Sequence, residues 1–388
     1  MTDVVVAGIG QIPVGEHYTL SLRQMGVQAL LAAQKDSGGL IPQALYIGNM
    51  LSSMVSHQAN LGALFTDYAH LGGIESYTTE ASGASGAAAI RMGYLAILSG
   101  YVDTVAVLGV EKWTDQTQSE AETAAGQGLD FDYEGMQGLS ETAQAGLLMQ
   151  RYLHEFNLPG DALGGFPVLA HANGVNNPNA FFRRAINMET YSKADKIADP
   201  LNLYDASPYA DGAAALILTR RDLLPKDAPS TVVRLLGSSV SIDTLALHDR
   251  KNPMAFETAK LAVEHACLQA GIMPIYTDLF ELDDTYSIYA ALTLEACGYA
   301  EPGTAWQMAH YGLLKPDAKL PALTMGGCKA RGNPIGAKGV YQAVEVVQQL
   351  RGHAGANQVK DARIGLTLAL GGPASTAIAH VFERSENL

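Results

Sequence analysis

The sequence predicts a layered α/β protein built from two copies of one unit, and three observations carry that expectation. Apolar strand-like runs alternate with amphipathic helical stretches. The order of these elements in the first half returns in the second. One long polar segment interrupts the first half and has no counterpart later. At 388 residues the chain exceeds one ordinary domain, and 48% hydrophobic against 16% charged residues can fill a large core.

In chain order, Val4 to Ile9 reads as a strand, Leu20 to Lys35 as an amphipathic helix and Ala44 to Met50 as a second strand. A turn of small residues, Thr79 to Gly86, then opens a helix running through Met92, Leu95, Ile97 and Leu98. Thr104 to Val110 is a continuous apolar run of the kind a strand buried on both faces shows. From about 111 to 203 the chain turns polar, with helices expected near Gly138–Phe156 and Pro167–Asn176. A segment of that length must carry its own structure, since long structureless loops are uncommon in compact domains. The α/β pattern resumes over Ser207 to Leu218.

The second half repeats the order. Val232 to Ser239 is strand-like, Ala255 to Gly271 helical and Asp278 to Leu282 strand-like. A Gly-rich turn, Gly326 to Gly336, opens the helix Val340–Leu350, and Ile364 to Leu370 is expected to close the core as a strand. The boundary falls near 226–229, giving halves of 1–228 and 229–388 with the loop domain 111–203 inserted in the first.

A formal charge of −14 leaves no basic surface for nucleic acid. No apolar run reaches the roughly 18 residues that span a bilayer. Met1-Thr2-Asp3 leads straight into a strand, so a cytoplasmic protein without a signal peptide is expected. The three cysteines, Cys267, Cys297 and Cys328, are odd in number and lack metal-ligand spacing, which implies reduced thiols and no metal. The ten histidines show no paired spacing.

The turn Thr79 to Gly86 is chemically suggestive. A tight turn opening a helix aims backbone N–H groups and the positive end of the helix dipole at one spot. Such a spot suits a thiolate or an oxyanion. Glu80-Ala81-Ser82-Gly83-Ala84-Ser85-Gly86 resembles the nucleophile loop of the thiolases, Glu-Ala-x-Cys-Ala-Ser-Gly, with Gly83 in place of the cysteine. Val107 to Lys112, Asn176 to Ala180, Ser207 to Ala214 and Gly332 to Ala337 resemble further thiolase segments in matching order. Glu281 to Tyr286 is similar to the Glu-Leu-His-Asp-Cys-Phe segment of the sterol-carrier-protein type.

The resemblance implies a five-layered αβαβα fold with a loop domain in its first half and a coenzyme A thioester as substrate. It also implies a homodimer formed through strands of the first half, with Tyr77–Glu80 as the candidate apolar edge. Thiolases use a nucleophilic Cys, a His that activates it and a second Cys that moves protons. Carried over, those positions hold Gly83, Asn333 and the neighbourhood of Leu368, or Asp283 and Thr285 in the sterol-carrier arrangement. The family's catalytic set is therefore missing.

Glycine has no side chain to acylate. Ser85 reads as a structural cap, Ser82 lacks a base nearby in sequence, and all three cysteines read as core residues. What the family pattern leaves is an oxyanion site, from the amides of Gly83 and Leu370–Gly371 and the carboxamide of Asn333. Acid–base chemistry would fall to Asp283, Asp284 or Tyr286. Asp284 is also expected to cap the helix Ser287–Cys297, and Tyr286 to pack in the core. His57 and His310 have no motif around them. Three functions stay open. One is non-covalent aldol or retro-aldol chemistry on a β-hydroxyacyl-CoA, as in thiolase-like lyases that work beside an OB-fold zinc-ribbon partner. The second is a non-catalytic acyl-CoA-binding or scaffold subunit. The third is an acetyl-CoA acetyltransferase-type acyltransferase with another nucleophile. None needs a covalently bound cofactor.

Overall fold

The computed structural model describes residues 3–385. The first half runs β1 (Val4–Gln11), α1 (Leu22–Asp36), β2 (Ala44–Gly48), α2 (Ser52–Val55), α3 (Leu61–Tyr68), β3 (Glu75–Thr79), α4 (Ser85–Leu98) and β4 (Thr104–Glu111). The inserted segment follows with α5 (Gln118–Ala125), α6 (Glu141–Glu155), α7 (Gly165–Gly174), α8 (Met188–Ser192) and a small antiparallel pair, β5 (Lys196–Ala198) and β6 (Leu201–Asn202). After it comes β7 (Gly212–Arg220). The second half consists of β8 (Val232–Ile242), α9 (Glu257–Ala270), β9 (Leu279–Glu281), α10 (Ser287–Ala296), α11 (Ala305–His310), α12 (Lys338–Arg351), β10 (Ile364–Gly371) and β11 (Thr376–Ser385).

Local chemistry sets several boundaries. Ser21 and Gln24 form a reciprocal capping box that starts α1. β4 is buried along its whole length and apolar between its end residues, Thr104 and Glu111. α4 crosses β2 so closely that a Cβ on Gly48 would lie 2.4 Å from the Gly86 Cα, so glycine is needed at the crossing.

The strands follow the order β3-β2-β4-β7-β1-β8-β11-β10-β9. β2 is parallel to β3 and β4, and β7 runs antiparallel between β4 and β1. The halves meet where β1 pairs with β8 at Val5–Arg234 and Val6–Val233. α1 covers β1 and β7 on the outer side, α4 and α12 lie between the two strand sets, and α9 covers β8 and β11. Five layers, αβαβα, result. The central layer is filled by Ile90, Ile97, Val340, Val344 and Val347, all fully buried. Residues of the inserted segment, among them Leu148, Tyr152 and Phe166, share a core with α9, α10 and β10.

Three expectations change. β10 does not close the core, because β11 pairs with it from Ile364–Glu383 to Gly371–Thr376 and also with β8. The strand expected at Tyr77–Glu80 is β3, a polar and half-exposed edge rather than an apolar one. Ser207 to Asp211 is not yet strand: it bridges to Asn333 at Tyr209 and to Gly15 at Asp211 before β7 begins.

Candidate functional site

Four pieces of backbone converge between the halves: the turn before α4, the loop after β9, the Gly-rich stretch before α12 and the end of β10. At their centre lies Gly83. A Cβ placed there would sit 2.6 Å from Lys338 Nζ and 2.7 Å from the Leu370 carbonyl oxygen. Lys338 therefore occupies the volume a side chain at 83 would need.

The Lys338 ammonium lies 2.7 Å from Asp283 Oδ2 and donates to Thr285 Oγ1 at 3.1 Å. Asp283 also accepts from Thr285 N at 3.0 Å, Thr285 Oγ1 at 2.7 Å and Leu370 N at 2.9 Å. Both charged residues are buried. Burial would push the Asp283 carboxyl up, but the Lys338 charge and these hydrogen bonds outweigh it and hold the group below its usual range. Burial would likewise depress Lys338, yet Asp283 raises it above normal. Both shifts favour a lasting ion pair. Asp283 is thus a poor free base, and the Leu370 amide is committed to it rather than open to an oxyanion.

The other sequence candidates divide between scaffold and cavity wall. Asp284 does not cap α10. Its carboxylate accepts from Cys328 N and Lys329 N, and a Cβ on Gly327, whose φ is +53°, would fall 2.5 Å from it. Cys328 is buried, and burial pushes its thiol up to about 12. Cys267 is likewise buried and pushed up to about 12. Ser85 Oγ accepts from Ala81 N and donates to Ser82 O, a structural clasp. Ser82 Oγ meets Met50 Sδ at 3.7 Å and no base. His57 and His310 are exposed.

Tyr286 and Asn333, both buried, line a cavity instead. Tyr286 Oη shares a 2.8 Å hydrogen bond with Thr142 Oγ1. Burial, then the nearby Glu141 charge, keeps the phenol protonated far above its ordinary range. Asn333 donates to Ser207 Oγ at 3.0 Å, and its buried Oδ1 has no partner in the protein. Both residues line a small cavity with Glu122, Glu141, Thr142 and Tyr209. A larger cavity of about 750 Å³ adjoins it and shares Tyr209 and Tyr286. Phe182, Arg183 and Arg184 line the larger one, both arginines being exposed. Among the described residues no His/Cys/Asp/Glu group could hold a metal ion.

Sequence reasoning missed Lys338, Glu141 and the two arginines. For Lys338 a signal existed: a lone cation between Ala337 and Gly339, in a stretch otherwise of small and apolar residues.

The profile described as "Thiolase, N-terminal domain" matches residues 4–222, and that described as "Thiolase C-terminal domain-like" matches 239–384. The chain belongs to the thiolase family. It is 37% identical to an acetyl-CoA acetyltransferase of Methanothermobacter thermautotrophicus, over 99% of this chain and 100% of that protein. A second acetyl-CoA acetyltransferase, from Methanocaldococcus jannaschii, is 31% identical over 98% of this chain and 99% of its own length. Among solved structures, the Ltp2-ChsH2(DUF35) aldolase superposes with a TM-score of 0.83 at 21% identity, covering 98% of each chain, a likeness of fold. In this thiolase-family chain the volume beside Gly83 is filled by a lysine reaching across from the other half. Among its described residues no helix is long and apolar enough to cross a membrane.

Proposed function

We propose that this thiolase-family protein acts on acyl-CoA thioesters without an acyl-enzyme, through aldol or retro-aldol carbon–carbon chemistry on a β-hydroxyacyl-CoA. The observation that carries the reading is Lys338 filling the space beside Gly83 while a cavity of about 750 Å³ stays open nearby. A thiolase splits a β-ketoacyl thioester by attack on the ketone, and Gly83 offers nothing to attack with. A β-hydroxyacyl thioester can break without attack. Removing the hydroxyl proton lets the bond collapse to a carbonyl product and the enolate of a shorter acyl-CoA. Donors at the thioester oxygen contribute about 3–4 kcal/mol each to such a step. The Tyr286 phenol and the second N–H of the Asn333 carboxamide, whose first is given to Ser207, are neutral donors along the cavity wall. An OB-fold zinc-ribbon partner belongs to the proposal, and the solved neighbour named as a DUF35 aldolase is in keeping with it.

A specific observation favours the non-catalytic reading as second. Asp283 and the Leu370 amide, which would supply base and oxyanion donor, are consumed by the ion pair. The names of the two acetyltransferase relatives favour acyl transfer, which needs a nucleophile that Ser85 and Cys328 cannot supply as bound here.

The test supplies straight and branched β-hydroxyacyl-CoA esters, with and without any co-purifying protein, and monitors aldehyde or ketone release. Intact mass spectrometry after incubation with acetyl-CoA and acetoacetyl-CoA runs beside it. A carbonyl product and no acyl adduct are expected. Binding without product across the whole set would favour the non-catalytic subunit, and an adduct on Ser82, Ser85 or Cys328 would favour acyl transfer.

A further inference from the structure

We propose that Glu141 is the acid–base residue of this site, exchanging the proton of the aldol step from the wall of the smaller cavity. The assignment rests on the acyl-CoA reading above. With Asp283 held by Lys338, the base must come from a carboxylate that is both uncommitted and in reach of a ligand. Buried carboxylates elsewhere around the site are engaged. Asp284 accepts from the Cys328 and Lys329 amides, Glu281 from Thr324, and Glu111 from Asn49, Met50 and Leu51.

Glu141 differs. It is the first residue of α6, after Ser140, whose Oγ accepts from Ala143 N and so fixes the helix start. Among the described residues its carboxylate accepts no hydrogen bond. It lines the cavity beside Thr142, Tyr209, Tyr286 and Asn333. The groups facing it come from every neighbouring element. They are Lys338 of α12, Asp283 after β9, Tyr286 and Tyr289 at α10, Tyr209 before β7 and Glu122 of α5. Burial raises its carboxyl, Lys338 pulls it back and Asp283 pushes it up, leaving it near 7. A group balanced there can both take and return a proton at neutral pH.

In the cleavage direction the Glu141 carboxylate takes the β-hydroxyl proton, and the O–H electron pair becomes the carbonyl π bond. The Cα–Cβ bond breaks, and its pair forms the thioester enolate. Glu141, now neutral, returns the proton to Cα, so no oxidant or co-reactant is needed. In the reverse direction the same carboxylate abstracts a Cα proton.

That reverse half-step gives the experiment. Propanoyl-CoA is incubated in D₂O with the protein as isolated, together with any bound partner, and α-deuteration is read by mass spectrometry across pH 5–9. Wild type should exchange with a rate that rises through about pH 7 as Glu141 ionises and then levels. Glu141→Gln should lose on the order of 100-fold or more and lose the pH dependence. Its propanoyl-CoA affinity by calorimetry should stay within about threefold, and Glu155→Gln, at the exposed far end of the same helix, should exchange like wild type. Exchange that persists in Glu141→Gln, or disappears equally in Glu155→Gln, overturns the assignment and leaves the acyl-CoA reading standing. A wild-type protein that binds propanoyl-CoA but neither exchanges nor cleaves overturns the catalytic reading, and Glu141 with it.

Discussion

Lys338 is the first residue of α12, where the helix dipole disfavours a cation. It is tolerated because Asp283 sits 2.7 Å away with its own oxygens already anchored by Thr285 and Leu370. Removing one member of a buried pair leaves the other charged and unpaired, a loss of about 3–5 kcal/mol. Lys338→Met should therefore destabilise the protein by that order in urea unfolding, and pairing it with Asp283→Asn should recover a large share. If the two substitutions simply added, the pair would not be the coupled unit described here. Gly83 belongs to the same unit, since the Cβ of any other residue would meet Lys338 Nζ and the Leu370 carbonyl together. The resemblance of this turn to the thiolase nucleophile loop, with glycine where that loop has cysteine, was visible in the sequence. The side chain that fills the volume beside Gly83 was not, because it arrives from the start of α12 in the opposite half of the chain. Glu141 was hidden for another reason, since an acidic residue opening an amphipathic helix looks ordinary until the cavity behind it is seen.

The loops that frame the site are held by buried carboxylates at the ends of strands. Glu111, last in β4, accepts from Asn49 Nδ2, Met50 N and Leu51 N and so fixes the loop after β2. Burial pushes its carboxyl from an ordinary 4.5 up to about 8. A raised folded-state value makes the protonated form the stabilising one. That contribution is complete below about pH 4.5 and declines as the pH climbs to about 8, by about 1.4 kcal/mol per pH unit. Wild-type stability should therefore fall between pH 5 and 8 more steeply than that of Glu111→Gln, by about one proton's worth in slope. Identical slopes by calorimetry or urea titration would show that Glu111 is already ionised in the fold. The strands and helices that carry these carboxylates were mostly legible, because periods of two and 3.6 residues mark buried faces directly. β11 escaped because its alanines, Ala377 and Ala379, mark a buried face only faintly. Asp284 was misread because an acid just before a helix suggests a cap, whereas its carboxylate turns to the Gly327–Arg331 segment instead.

At the scale of the whole molecule, β3 ends the strand order with one side unpaired, and Tyr77 on it is 40% exposed. An unpaired edge with an exposed aromatic is suited to another copy of the same strand. A homodimer is expected by light scattering at micromolar concentration, and placing a proline at Thr78 should weaken it; a wild-type monomer would count against that use of the edge. The lysine beneath the Gly83 turn carries one more consequence, for inheritance. Position 83 lies in the first half and position 338 in the second, and each dictates what the other can be. A chimera that joins this first half to the second half of a relative with a small residue at 338 would leave a void and an orphaned acid. The reciprocal graft, bringing a side chain at 83 onto this second half, would force two groups into one space. The halves repeat one architecture, yet as genetic parts they are not interchangeable.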